Sequence, residues 1–483
     1  MQILAIIYKY LMLLSEYLWS YVGIVLLLGA GIYFTIKTGF VQFRYFFEQF
    51  RLLVDKENFD EAQKSGGISS FGAFCISTAS RVGTGNIAGI ALAVAGGGPG
   101  AIFWMWIIAI IGSASAFIEA TLAQIFKVKN GHATKGGPAY YMEQGLNARW
   151  LGISFAVLIT ITYAFVFNAV QANTMSLILD KSFSLTPWVT GGIVAIITSV
   201  VIFGGVQRIT KVSEVIVPIF AVLYILVALV IVGMHITEVP SVIHSIFVGA
   251  FDPQQFVAGS GAGIMVTIMT GAKRGMFSNE AGMGSAPNAS ATADVNHPVA
   301  QGLIQSLGVF TDTIVICTAT ALMILLYNGY ATSSNEGILL TQEALSSYFG
   351  STFGTFFLSI CIVLFAFSSI LGNYYYGESN IQFILENRPN AEKKALKWLR
   401  ICVTLCVFIG SFIQMQVIWD LADLFMVFMT IENLIAILLL GKFAFKALED
   451  YRQQKDGGIT KPQFYQDTIP ELKDIIQEWP ENK

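Results

Sequence analysis

The chain of 483 residues is strongly apolar: 55% of its residues are hydrophobic and only 12% are charged. A soluble domain carries about 25% charged residues, so this composition excludes an ordinary soluble globular protein and indicates a protein of the lipid bilayer. The formal net charge of −3 provides no strongly basic surface, and no nucleic-acid partner is expected.

Runs of apolar residues predict eleven membrane spans, because about 20 helical residues cross a hydrocarbon core ~30 Å thick. The spans cover 17–37, 71–95, 99–127, 149–179, 187–206, 212–234, 253–285, 299–328, 350–386, 398–415 and 417–447. The predicted fold class is therefore an all-α integral membrane protein, with residues 1–447 as a single transmembrane domain. Residues 448–483 are polar and are expected to form a solvated cytoplasmic tail.

Basic residues alternate between loops in a way that predicts the orientation of the chain. Lysines and arginines cluster after spans 1, 3, 5 and 9, whereas the loops after spans 4, 6, 8 and 10 contain only Lys181. Cytoplasmic loops carry an excess of Lys and Arg, so the N-terminus is expected outside and the C-terminus in the cytoplasm. Residues 1–16 lack the features of a removable signal peptide, and the chain suits a bacterial plasma membrane.

The spans divide into two halves that are expected to enter the membrane in opposite directions. Setting aside the extra N-terminal span 17–37, five spans lie in residues 71–234 and five in residues 253–447. Because five is odd, the second half inverts the orientation of the first. Each half opens with an interrupted apolar helix, a pattern typical of an inverted repeat in a secondary transporter.

The two interruptions are glycine-rich and polar. The first reads Arg81-Val-Gly-Thr-Gly-Asn86, and the second extends from Thr270 to Gly282. Unwound backbone at membrane depth is tolerated only where protein or a water-filled cavity satisfies its N–H and C=O groups. A matched pair of such breaks therefore predicts the substrate site.

The chemistry of a helix break suits an amino-acid zwitterion. A half-helix N-terminus presents N–H groups to a carboxylate, and the opposing C-terminus presents carbonyls to Na⁺ or an ammonium group. Thr84, Gly85 and Asn86 in the first break, with Gly271 and Met276 in the second, are the predicted substrate contacts. A Gly-x-Gly packing notch between two helices is the alternative interpretation of the first break.

Two other classes fit the sequence less well. A channel would place glycine-rich breaks as short filters between intact spans, whereas here the spans continue on both sides of each break. An enzyme would need a recognisable catalytic or metal motif, and the sequence contains no His-Glu-x-x-His, Gly-x-x-x-x-Gly-Lys-Ser/Thr or Gly-x-Ser-x-Gly. No enzymatic activity is expected.

Several blocks of the sequence resemble the alanine/glycine:cation symporter family, also called sodium:alanine symporters. The blocks are VGTGNIAG (82–89), GGPGAIFWMWIIAIIG (97–112), KGGPAYYM (135–142), FNAVQAN (167–173), RGMFSNEAGMGSAP (274–287), TDTIVICTAT (311–320) and FAFSSILG (365–372). The matches extend from about residue 70 to residue 440. The tryptophan-rich block and the Ser-Asn-Glu-Ala-Gly block are the most specific of them.

The resemblance implies uptake of a small neutral L-amino acid, such as alanine, glycine, glutamine or serine, in a leucine-transporter-type fold. Coupling to Na⁺ by alternating access is implied, with coupling to H⁺ as the alternative. The four histidines (132, 235, 244 and 297) fall in loops and supply no obvious proton relay, which favours Na⁺. The expected surroundings are the lipid bilayer, without an obligatory protein partner.

The resemblance also assigns roles to polar residues inside the spans. Gln171 matches a glutamine that the family associates with the substrate. Ser368 and Ser369 are expected to hold Na⁺ together with backbone carbonyls near Arg81 and Val82, since hard cations prefer oxygen ligands. Ordinary hydrogen bonds between or within helices are the alternative for both sets.

Asn373 departs from the family, many members of which carry tryptophan at this position. A carboxamide in place of an indole enlarges the pocket and adds a donor and an acceptor. A site that hydrogen-bonds a polar side chain rejects analogues that lack it. The departure favours a larger polar substrate, such as glutamine, over alanine.

Carboxylates inside the membrane are functional candidates, and here their role stays open between gating, structural ion pairing and ion coupling. They are Glu119, Asp312, Glu378, Asp420 and Asp423.

Overall fold

A computed structural model describes residues 2–58, 60, 67–130, 133–252, 263–327, 329–476 and 478–481. The described chain is almost entirely helical, which confirms the predicted all-α class. A small antiparallel hairpin is added, in which β1 (Val128–Asn130) pairs with β2 (Ala133–Lys135).

Eleven helices are bounded within the described residues of the first half of the chain. They are α1 (Ile6–Lys37), α2 (Val41–Arg44), α3 (Phe46–Leu53), α4 (Ser70–Arg81), α5 (Gly85–Gly97), α6 (Gly100–Ile125), α7 (Pro138–Leu146), α8 (Arg149–Phe183), α9 (Pro187–Ile202), α10 (Val206–Met234) and α11 (Val239–Phe251). Helices α1, α5 and α8 each contain a π turn.

The described residues of the second half contain seven more α-helices. They are α12 (Ile264–Asn279), α13 (Ala286–Ser290), α14 (Pro298–Leu325), α15 (Ile338–Phe349), α16 (Ser351–Ile384), α17 (Pro389–Gly410) and α18 (Met415–Asp456). Residues 253–262 of the predicted seventh span lie outside the described part.

Seven of these helices are long and apolar enough to cross a bilayer: α1, α6, α8, α10, α14, α16 and α18. The shorter helices α5, α9 and α11 are also apolar. Each predicted span coincides at least partly with described helices. The count of eleven spans and the five-plus-five repeat stay predictions.

Helix α6 forms the centre of the packing, against α12, α14 and the second half of α1. Its C-terminal half is wholly buried from Gly112 to Ile125. Small residues allow this close approach. A Cβ on Gly302 of α14 would lie 2.1 Å from Thr121 Oγ1, so the two helices touch where glycine leaves room.

The first break lies where it was predicted. Helix α4 ends at Arg81, Val82 is extended with φ −81° and ψ 93°, and α5 begins with a π turn at Gly85. The chain therefore unwinds for only a few residues, between two helices that are both buried.

The second break starts later than predicted. Helix α12 continues through Gly271 to Asn279, so the predicted start at Thr270 is wrong. The chain unwinds at Glu280 (φ 59°), Gly282 (φ 81°) and Gly284 (φ 79°). Glycine adopts these left-handed conformations without steric cost. A Cβ on Gly271 would instead lie 2.5 Å from the Ala101 carbonyl oxygen, so this glycine serves helix packing.

The residues after α18 are not a solvated tail. Five apolar side chains between residues 464 and 479 are buried against the helices: Phe464, Ile469, Leu472, Ile476 and Trp479. The Trp479 indole Nε1 donates to the carbonyl oxygens of Gln124 and Ile125, each at 3.3 Å. The expectation of a solvated tail is wrong because its apolar residues, which recur every three or four positions from Ile469 to Trp479, bury together.

Candidate functional site

Side chains from α8 and α16 converge on the first break. The backbone N–H of Thr84 donates to Gln171 Oε1 at 3.1 Å, and the N–H of Gly83 donates to Asn86 Oδ1 at 3.0 Å. A Cβ on Gly83 would lie 2.3 Å from Ser369 Oγ. The break is therefore satisfied by polar side chains, and glycine is required because they approach so closely.

The hydroxyl of Ser369 reaches the carbonyl end of α4. Ser369 Oγ lies 2.8 Å from the carbonyl oxygen of Ala79 and 3.3 Å from that of Val82. Ser368 Oγ donates at 2.8 Å to Phe365 O on its own helix. The oxygens around Ser369 are neutral and hard, so this donor set fits Na⁺. Of the predicted ligands, the structure brings Ser369 and the Val82 carbonyl together, with Ala79 in addition.

The buried carboxylate of Asp312 links the first break to the end of α12. Asn86 Nδ2 donates to Asp312 Oδ1 at 2.6 Å, and Ser278 Oγ donates to Asp312 Oδ2 at 2.7 Å. Both ends of the Asn86 carboxamide are thus engaged within the protein, because its Oδ1 accepts from Gly83. Asn86 fixes the shape of the break in this arrangement.

A second buried carboxylate, Glu119 of α6, holds the second break. Glu119 Oε1 accepts from Gly282 N at 3.2 Å, while its Oε2 accepts from Gly284 N at 3.1 Å and from Asn433 Nδ2 at 2.8 Å. Each partner here is a donor. Glu119 therefore supplies the acceptors that an unwound segment lacks inside a bilayer.

A chain of polar side chains connects the second break to α8. Ser80 Oγ lies 2.6 Å from Glu280 Oε1 and 2.7 Å from Asn373 Oδ1. Asn373 Nδ2 donates to Asn168 Oδ1 at 3.1 Å. The predicted specificity residue Asn373 thus faces α4 and α8, one helical turn after Ser369, with both ends of its carboxamide engaged.

Aromatic rings cover one side of the first break. Phe277 packs between Phe167 and Trp419, with ring centroids 4.5 and 4.6 Å away. A Cβ on Gly85 would lie 2.8 Å from the Phe277 ring, so the cover rests directly on the break. Sequence reasoning missed these three rings, although Phe167 and Phe277 lie inside the family blocks.

An ion pair lies over the aromatic cover. The guanidinium of Arg274 stacks 4.6 Å from the Trp419 ring centroid and forms a salt bridge with Asp423, which Lys273 Nζ also approaches to 3.7 Å. Beyond this pair lies a cavity of about 360 Å³, with Glu16 of α1 in its lining. Lys273 and Asp423 also line this cavity, so the ion pair forms part of its wall.

Of the two substrate contacts predicted in α12, Met276 lies next to the second break and Gly271 does not. Met276 is fully buried in α12, and its carbonyl accepts from the Glu280 N–H, so it adjoins the second break. Gly271 packs against Ala101 and Trp104 of α6, more than two helical turns before that break. The structure gathers the other predicted residues near the breaks and leaves Gly271 outside them.

A solved structure shares this fold. MhsT in complex with L-phenylalanine superposes with a TM-score of 0.54 and 14% sequence identity, covering 78% of this chain and 94% of that chain. The apolar helices define a multi-pass membrane protein, and its fold is the one seen in MhsT.

The sequence comparisons then give the family. The profile of the sodium:alanine symporter family matches residues 4–466. The chain is 50% identical over 469 residues to the amino-acid carrier protein AlsT of Bacillus subtilis, covering 97% of both chains. It is 52% identical over 466 residues to the probable sodium/glutamine symporter GlnT of the same organism, covering 96% of this chain and 95% of that one. The chain belongs to the sodium:alanine symporter family, which confirms the resemblance; this is a family of transporters.

Proposed function

We propose that this protein imports a small neutral amino acid together with Na⁺ by alternating access. The N-terminus is outside and the C-terminus cytoplasmic in this proposal, so the inward Na⁺ gradient and the negative interior drive uptake. Movement of one charge inward yields about 2.3 kcal/mol per 100 mV. Family membership and the two broken helices support the proposal.

The observation that carries the Na⁺ assignment is the position of Ser369. Its hydroxyl lies between the carbonyls of Ala79 and Val82, at the C-terminal end of α4, where the helix dipole favours a cation. A bound Na⁺ would supply positive charge that holds α4 against α16. Ser369 and the two carbonyls would hold the ion, and Ser368 would need to turn from Phe365 to join them.

The substrate is proposed to lie between the first break and the aromatic cover. The start of α5 favours the carboxylate, and Gln171 supplies a carboxamide beside it. Phe277 lies over Gly85 and would exclude water from this region. Asn373 adds a polar group, and we propose that it favours glutamine over alanine; the relative named a probable sodium/glutamine symporter is consistent with this.

The test is uptake of labelled glutamine and alanine by proteoliposomes, with an inward Na⁺ gradient or with choline. Uptake driven by Na⁺ is expected, with glutamine competing better than alanine. Uptake that ignores Na⁺ but follows an inward pH gradient would replace the proposal with H⁺ coupling. Uptake of neither amino acid under either gradient would refute the substrate class.

A pair of variants on one helix tests the ion site. Ser369→Ala removes the hydroxyl at the carbonyls of α4 and is expected to raise the Na⁺ concentration for half-maximal uptake about tenfold, equivalent to about 1.4 kcal/mol. The control is Ser359→Ala, another buried serine of α16. Equal Na⁺ dependence in both variants would remove Ser369 from the site.

A further inference from the structure

Glu280 is held in an unusual way. It is buried, lies in the left-handed region with φ 59°, and forms no salt bridge with any residue that the structure describes. A non-glycine residue in this region costs about 1–3 kcal/mol and persists only where its surroundings fix it. Here the side chain is fixed by two hydroxyls, Ser80 on one oxygen and Ser285 on the other.

A chain of hydrogen bonds leads from Asn168 through Asn373 and Ser80 to Glu280. The direction of each bond follows from the end at Asn168. Asn168 Nδ2 donates at 3.1 Å to the carbonyl of Ala164, which can only accept. Asn168 Oδ1 must therefore face Asn373, and it accepts from Asn373 Nδ2. Asn373 Oδ1 must then face Ser80, so it needs a hydrogen from the Ser80 hydroxyl.

A serine hydroxyl has one hydrogen and two lone pairs. Once Ser80 donates to Asn373 Oδ1, it has no hydrogen left for Glu280 Oε1, which lies 2.6 Å away. A bare carboxylate oxygen at that distance would face lone pairs and be repelled. Turning either carboxamide over would place two oxygens or two N–H groups against each other. The remaining solution is a hydrogen on Glu280 Oε1.

The other titratable groups around Glu280 come from four helices. Arg81 faces it from α4, Asp312 from α14, Tyr163 from α8 and Tyr376 from α16. None of them makes a hydrogen bond or salt bridge to Glu280 in the described part of the chain, and the buried Arg81 guanidinium has no hydrogen-bond partner there. Burial disfavours a bare carboxylate whereas the Arg81 cation favours one, so the hydrogen bonds at Ser80 decide which form is held.

We propose that Glu280 is a proton-binding site and that its proton joins α4 to the second break in this arrangement. The proposal rests on the transport function proposed above and adds a second ion to it. The proton forms an O–H···O bond to Ser80 Oγ, and its loss leaves a carboxylate that competes with Asn373 for the single Ser80 hydrogen. Deprotonation therefore loosens α4 from the break, and the closed arrangement is favoured below the apparent pKa and lost as pH rises through it.

Infrared spectroscopy of the purified protein tests protonation without any transport. The wild type minus Glu280→Gln difference is expected to contain the C=O stretching band of a protonated carboxyl. The control is Glu143→Gln, since Glu143 pairs with Arg149 near the surface and should give no such band. A difference spectrum with only carboxylate bands would overturn the proposal, whether or not the protein transports.

Amino-acid exchange across proteoliposomes tests the consequence. Exchange by the wild type is expected to fall at alkaline pH, whereas Glu280→Gln, whose Nε2 donates to Ser80 at every pH, is expected to lose that fall. An unchanged alkaline fall in the variant would overturn the role of Glu280. Should the glutamine variant fail to assemble, Ser80→Ala takes its place and is expected to lose the alkaline fall as well, since it removes the acceptor of the Glu280 proton. Absence of Na⁺-dependent uptake in the wild type would refute the proposed function and leave the infrared result standing.

Discussion

The two helix breaks are stabilised in different ways, although both expose backbone inside the membrane. The first is short, and neutral carboxamides from Asn86 and Gln171 satisfy it. The second contains three left-handed residues, and the carboxylate of Glu119 accepts two of its N–H groups. A short break suits a site that ions and substrate enter and leave, whereas the long loop needs a fixed acceptor.

Two glutamates at the second break also differ in their hydrogen-bond partners: Glu119 of α6 and Glu280 of the break itself. Glu119 is surrounded by donors and is suited to remain charged, while Glu280 faces a hydroxyl that has no hydrogen to give. Chemically identical side chains at one loop can therefore have opposite protonation, because the hydrogen-bonding partners decide which form is satisfied.

The largest expected effect comes from Glu119→Gln, which places an NH₂ group among three donors. Each donor left without an acceptor costs about 1–3 kcal/mol, so we expect a large loss of thermal stability in detergent and of uptake. Glu280→Gln should cost far less stability, since it retains a donor towards Ser80. Equal loss in the two variants would break the comparison between the glutamates.

Gln171→Ala should have the next largest effect, because it removes the acceptor for the Thr84 N–H at the first break. The expected cost is about 1–3 kcal/mol, seen as reduced uptake with normal amounts of protein in the membrane. Asn173→Ala on the same helix is the control, since Asn173 bonds to the carbonyls of Gly410 and Ile413 instead. Unchanged uptake kinetics in Gln171→Ala would remove this residue from the site.

A variant of Asn373 tests the comparison of the two breaks in more detail, because this residue lies between the first break and Glu280. Asn373→Ala removes both the carbonyl and the NH₂ of the carboxamide. It is expected to lower the preference for glutamine over alanine about tenfold, with a smaller effect on alanine uptake itself. Competition of each amino acid against a common labelled substrate measures this ratio. An unaltered ratio would show that substrate selection is made elsewhere.

The smallest expected effect lies outside the membrane, at His297. Burial lowers the pKa of this imidazole, against the opposing effect of Asp450. His297 packs on Phe464 of the docked C-terminal segment (residues 464–479), with ring centroids 5.4 Å apart. A pKa below the unfolded value means that docking favours the neutral imidazole, so the stability of the docked segment is lost as pH falls below ~6.5. Proteolysis after Gln463 should therefore quicken at acidic pH. His297→Asn, which still caps α14, should flatten this pH dependence; an unaffected cleavage rate would refute it.

Much of the fold follows from the sequence, because apolar runs of sufficient length can only be helices in a bilayer. The first break could be found since Gly83 and Gly85 alternate with Thr84 and Asn86 between two apolar stretches. The second break was misplaced because Gly271 and Gly282 look alike in sequence. Only the neighbours show that Gly271 makes room for α6 and that Gly282 adopts φ 81°.

The site could be predicted only in part, for a related reason. The resemblance indicated Gln171 and Ser369, which do lie at the first break. The partners of Glu119 and Glu280 could not be predicted, since Glu119 meets Gly282 across 163 residues and Ser80 meets Glu280 across 200. Whether each carboxyl group is charged or neutral depends on which of its neighbours are hydrogen-bond donors. The spacing of residues in the sequence does not show this.

The docked C-terminal segment has a consequence for the biosynthesis of the protein. Trp479 bonds to the end of α6 across 355 and 354 residues, so these contacts form only after every described helix has been synthesised. During translation the carbonyls of Gln124 and Ile125 lack their hydrogen bonds to the Trp479 indole until that residue has been synthesised. The Trp479 contact therefore follows the synthesis of these helices, and a translation product that stops before Trp479 lacks it.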